Sequence, residues 1–232
     1  MSILYRHWPA TAAAVALAMM PCAAAAETPR DVLTTAVFAD RDKAVALAKI
    51  DRVHQVTGAM LARSGDDQEA AIVQATAIGY RAQLTGNRSG AVEARRRFEA
   101  LVARYPNNPE AHLALGAWHI GVIAAVGQFV GRAAVGAQKK VGLASIDRAL
   151  ALGGNRAMYI GLAALLRLEI DGADVRGKQL AEAATRANAP TALDRIMQRS
   201  ANLLLTPLMN GNSKATQTLA DRLLPLGQIA KK

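Results

Sequence analysis

Histidine, cysteine and paired carboxylates are the side chains that most often carry metal or nucleophilic chemistry, and this chain has four histidines and one cysteine. Beyond the N-terminal stretch only His54, His112 and His119 remain. They form no H-E-x-x-H pair and have no metal-ligand spacing, and no carboxylate stands at a helical offset that would complete a site. His112 and His119 are seven residues apart and share a helix face, but about 10 Å separates them, too far to hold one metal ion. No G-x-S-x-G elbow or phosphate loop follows a strand; the glycines fall in turns and helices. The expectation is therefore no catalytic residue, no metal and no cofactor. Trp118 reads as core rather than as a stacking platform.

The remaining chemistry is that of binding. Arg95, Arg96 and Arg97, with Arg104 two turns further on, make the densest basic run, and Arg132 with Lys139 and Lys140 makes a second. Beside an apolar helical stripe such a run reads first as a solvated face, and second as a patch for anionic lipid or an acidic protein. Nucleic acid is disfavoured, because no aromatic residues interleave with the arginines. From Leu113 to Gly131 there is no charged residue, and glycines stand at 116, 121, 127 and 131. Three readings stay open for this stretch: a membrane span, which frequent glycine and the polar His119 and Gln128 oppose; a buried central helix; and an apolar groove or protomer contact around Phe129.

The N-terminus sets the compartment. Arg6, an apolar run from Ala10 to Met20 and Ala24-Ala25-Ala26 before Glu27 read as a secretory signal, with cleavage expected after Ala26 and the protein in the periplasm. An apolar run of about 11 residues is short of the roughly 20 that span a bilayer, which opposes a retained anchor. Cys22 raises a lipoprotein reading, which Pro21 immediately before it opposes. Cleavage would remove the only cysteine, so the mature chain would form no disulfide. Taking Arg6 from the 28 basic residues leaves 27 against 18 acidic, a net charge of +9 that favours anionic partners.

The elements that position these residues are helices. Alanine, leucine and arginine are abundant, β-branched runs are scarce, and apolar residues recur at helical spacing between turn signals such as Ser64-Gly65-Asp66, Tyr105-Pro106-Asn107-Asn108-Pro109 and Gly153-Gly154-Asn155. The pattern predicts an all-α fold with helices near 30–39, 41–63, 67–84, 90–104, 109–126, 141–152, 156–170, 173–187, 191–209 and 213–224. Short connections make neighbours antiparallel. Ala94, Phe98, Leu101 and Pro106 follow one another at steps of four, three and five, and Gly142, Ile146, Ala149 and Gly154 repeat those steps.

Ala94-x3-Phe98-x2-Leu101 ending at Pro106, followed by Asn108-Pro109-Glu110-Ala111 and Leu115-Gly116, resembles a tetratricopeptide-repeat junction in an exported bacterial protein. Tyr159, Leu162, Ala163 and Leu166 form a weaker copy. The resemblance covers about 67–170 and implies antiparallel helix pairs stacked as a short right-handed array. A cap at 27–66, an insertion near 121–140 and non-consensus helices over 171–232 complete the division. It also implies a concave binding face made by the first helix of each pair: Thr76 and Tyr80, Leu113 and Ala117, then Ile160, Ala164 and Arg167. Such a mostly apolar face suits an extended peptide or an apolar ligand. The function expected is a non-enzymatic periplasmic scaffold or adaptor for a protein or peptide of the cell envelope. The alternative is a ligand- or lipid-binding component of a transport system, and a distant third is a hydrolase whose catalytic residues escape motif search.

Overall fold

A computed structural model describes residues 27–229. The expected signal, its cleavage after Ala26, and Cys22 lie outside the described residues, as do the last three residues of 171–232. Within them the chain is all helical. The helices are α1 (Pro29–Phe38), α2 (Lys43–Arg63), α3 (Gln68–Thr85), α4 (Arg88–Arg104), α5 (Pro109–Val126), α6 (Gln128–Val135), α7 (Lys139–Gly153), α8 (Ala157–Ile170), α9 (Val175–Ala184), α10 (Ala192–Met209) and α11 (Ser213–Leu223). The sole extended pairing among the described residues is a parallel bridge between Arg156 and Asn188, which ties the turn before α8 to the turn after α9.

Most helices begin where the sequence supplies an oxygen. Thr28, Asp42, Asp67, Asn87, Asn108, Asp174, Thr191 and Asn212 each accept a backbone N–H bond in the first turn of the helix they precede. Such a cap contributes about 1 kcal/mol. The exceptions are α6, α7 and α8, whose first turns have no side-chain cap. Helices adjacent in sequence pack together through most of the chain, as α1 on α2, α2 on α3, α3 on α4, α4 on α5 and α8 on α9. The partner of α5 is α7, because the short α6 stands between them, and α5 also packs on α8 and α8 on α10.

The uncharged stretch that begins at Leu113 is resolved by the position of α5. One face of this helix, with Leu113 and Ile120, enters the largest core cluster together with Ile146, Leu165, Leu168, Met197 and Leu204. Another face, with Leu115, Trp118 and Ile123, enters a second cluster with Ile72, Ile78, Phe98 and Leu101. A helix buried from two sides must be apolar around its circumference. No helix among the described residues is long and apolar enough to cross a membrane by itself. Gly116 lets α7 approach: a Cβ there would stand 2.7 Å from Ile146 Cγ1 and 2.9 Å from the Gly142 carbonyl. At Gly127, whose φ of +82° suits glycine, the chain turns through 119° into α6.

Candidate functional site

Charged side chains at the starts of several helices pair with one another across helices. Arg30 of α1 donates to both oxygens of Glu69 at the start of α3, with Nη2 to Oε2 at 2.6 Å, and its Nη1 donates to Glu110 of α5 at 2.5 Å. Carboxylates placed there also meet the positive ends of their own helices. Burial raises the Glu110 carboxyl above the ordinary range even against the pull of Arg30. The Tyr80 hydroxyl is raised by burial and by Glu110, and Tyr159 is raised in the same way.

Asp194, in the first turn of α10, is a hub with no side-chain exposure. It accepts from Arg156 Nη2 at 2.7 Å, the Met158 backbone N–H at 2.9 Å, Thr191 Oγ1 at 2.6 Å and the Thr191 N–H at 3.1 Å. Burial pushes its carboxyl up, but the bonds from Arg156, Thr191 and Met158 outweigh that and hold it below the usual carboxylate range. Arg30, Glu69, Glu110, Arg156 and Asp194 thus make a paired edge whose charges are spent on one another. It joins helices; it offers little to a ligand.

The expected concave face is only partly open. Leu113 and Ala164 are buried in the largest cluster, where α5 meets α8, and Ala117 and Ile160 are half-buried against the same cluster. Arg167 is also buried and binds Asp147 at 2.6 Å, with Asp174 at 3.9 Å. On α3, the Thr76 hydroxyl donates to the Ile72 carbonyl, and Tyr80 packs against the cluster built by Leu33, Val37, Ile50 and Val53. The expectation of a continuous groove through these seven residues is corrected at Leu113, Ala164 and Arg167: direct α5–α8 packing and two aspartates consume the surface they would have provided.

The basic run divides in the structure. Arg95 lies 6.0 Å over the Trp118 ring, pairs with Glu99 at 3.6 Å, and fills the space an added Cβ at Gly136 would need. Arg97 binds Glu93 and the Gln74 side chain, and Arg104 binds Asp66 while covering the Tyr105 ring. Only Arg96 of the four is exposed without an ion pair among the described residues. Helical spacing sends adjacent arginines about 100° apart, so three in a row cannot share one face.

Among the histidines, His119 is buried on α5 at the α5–α7 contact. Its Nδ1 accepts from the Gln138 N–H at 3.2 Å, its ring meets Trp118 edge-on at 5.0 Å, and burial together with Arg95 lowers its pKa to about 4. It is a neutral core residue at physiological pH. No group of three or more metal-ligating side chains comes together among the described residues.

Two surfaces stand out, the first missed by the sequence reading and the second among the readings it left open around Phe129. The first is a cleft of about 330 Å³ between α1 and α10, floored by Phe38, Ile196 and Leu223, with Asp31, Arg199 and Arg222 on its walls. Its walls come from opposite ends of the chain, so no local pattern could reveal it. The second is α6 itself, which lies inside the expected insertion. Phe129 is 88% exposed there, with Val126 and Val130 about half exposed. The fold and these surfaces define an all-helical protein of paired helices with a terminal cleft and a projecting apolar elbow. No family model, curated protein or solved structure matches the chain.

Proposed function

We propose that the protein is a non-enzymatic, tetratricopeptide-like scaffold of the periplasm that binds a protein or peptide segment of the cell envelope in the cleft between α1 and α10. The stacked-pair reading is supported by two contacts of the same kind. Gly79 of α3 faces Ala94 of α4, with a Cβ separation that would be 3.6 Å, and Gly116 of α5 faces Gly142 of α7. Small residues at matched positions let the two helices of a pair approach.

The observation that carries the binding reading is the composition of the cleft. Phe38, Ile196 and Leu223 offer an apolar floor, while Arg199 and Arg222 are exposed beside it without ion pairs among the described residues. The paired edge described above has no such surplus. A segment that presents an apolar side chain next to a carboxylate fits this arrangement. The volume also lies at the low end for small-molecule sites, which supports an apolar carboxylate as the second reading.

The test is a photo-crosslinking residue at position 196 in the producing cell, with a control at exposed Lys178. A defined envelope protein joined at 196, absent at 178 and diminished by Arg199→Glu with Arg222→Glu, supports the reading. Equal labelling at both positions, or labelling indifferent to the arginines, overturns it. Native mass spectrometry that releases a small carboxylate would favour the second reading.

A further inference from the structure

The chain contains few aromatic residues, and all but one of those in the described region are at least half covered; Phe129 is 88% exposed. It belongs to α6, an eight-residue helix held firmly from beneath. The Arg88 Nε donates to the Ala134 carbonyl at 2.6 Å, and the Ala137 N–H donates to the Gly131 carbonyl at 3.1 Å. A Cβ on Gly131 would lie 3.0 Å from Val122. Gly131, Ala134 and Val135 therefore form the inner side of α6, and helical periodicity sets Phe129 and Ala133 on the opposite side. Ala124, Ala125 and Val126, at the end of α5, are exposed next to them. An apolar side chain fixed outward on a docked helix is not a packing leftover, since the underside of α6 already supplies the contacts that fold it.

The charged residues in this stretch of the chain have one sign. Arg132, Lys139 and Lys140 are exposed and have no ion pair among the described residues. No carboxylate occurs in the sequence between Glu110 and Asp147. That contrasts with the paired edge, where Arg30 and Arg156 are neutralised by carboxylates of other helices. A second copy meeting this patch across a twofold axis would bring two such cationic stretches together, with no carboxylate in either stretch to offset them. An anionic bilayer surface answers both features, taking Phe129, Val126 and Val130 into its acyl boundary and the cations into its headgroup layer.

We propose that α6 and the end of α5 form a membrane-surface docking elbow for anionic phospholipid, so that the scaffold works while resting on a bilayer that it does not span. This goes beyond the cleft reading and does not depend on it, because the elbow and the cleft share no residue.

The test is co-sedimentation of the natively processed protein with vesicles of phosphatidylglycerol and phosphatidylcholine, against vesicles of phosphatidylcholine alone. Binding is expected to the anionic vesicles and to fall with salt. Phe129→Ser should weaken it about tenfold or more. Lys139→Glu with Lys140→Glu should weaken it at least as much, since each cation near an anionic surface contributes about fivefold in affinity. Circular dichroism should be unchanged in both variants, which separates lost docking from lost fold. Equal binding of wild type and Phe129→Ser, or no preference for anionic vesicles, overturns the proposal. So does a concentration-dependent dimer that Phe129→Ser abolishes, because a second copy would then be what covers the patch.

Discussion

The paired edge at the helix starts and the elbow at α6 are both rich in charge, yet they use it in opposite ways. At the edge, Arg30 is divided between Glu69 and Glu110, and Arg156 closes on Asp194. At the elbow, Arg132, Lys139 and Lys140 are exposed in the same stretch of chain as Phe129, with no acid in the flanking sequence. A count of basic residues treats the two alike. What separates them is whether a carboxylate arrives from another helix, and that depends on tertiary structure.

The largest effects are expected at the paired edge. Asp194→Ala removes four hydrogen bonds from a buried oxygen pair and leaves the Met158 N–H without its acceptor. Chemical denaturation should show a loss of about 3 kcal/mol. Gly116→Ala should cost about 2 kcal/mol in the same assay, because the clash with Ile146 and the Gly142 carbonyl outweighs the better helix propensity of alanine.

Acid acts on the core through His119. Its folded pKa of about 4 lies below the 6.5 of an unfolded histidine. Between those values the unfolded chain takes up a proton that the folded chain refuses, so stability present above pH 6.5 is lost as pH falls toward 4, by up to about 3 kcal/mol. Asp194, held low, contributes stability that is lost only further into acid. His119→Gln should flatten the pH 6.5 to 4 limb and leave the steeper fall below it. A variant with an unchanged limb would remove His119 from the account.

The smallest effects discriminate within the basic run. Arg95→Ala, which strips a guanidinium from the Trp118 ring and from beneath Gly136, should cost about 1 kcal/mol. Arg96→Ala, one residue further, should lie within about 0.5 kcal/mol of wild type. Phe129→Ser should be equally neutral toward unfolding. If Arg96→Ala and Arg95→Ala cost the same, the four arginines would be one solvated face after all.

Much of the architecture was legible because caps and turns are local chemistry. Asn108, in the turn before Pro109, marks the start of α5 from sequence alone, whereas Gly116 and Gly142 stood out as pattern positions and only the structure shows that they bring α5 against α7. The eight-residue α6 was missed: it has no side-chain cap, and it continues an apolar run whose break is one glycine, Gly127. The binding face was misjudged because repeat position tells which side of a helix faces inward but not whether a neighbour already covers it. Leu113 and Ala164 show that failure directly. The cleft was invisible because Phe38 and Ile196 stand far apart in the chain.

Hydrogen exchange of the wild-type protein, with and without phosphatidylglycerol vesicles, observes both regions in one experiment. Exchange should slow only at the elbow, residues 124–140, with the first turns of α1, α3, α5 and α10 unchanged. Unchanged exchange at 124–140, or protection that appears instead along α1 and α10, would contradict docking at the elbow.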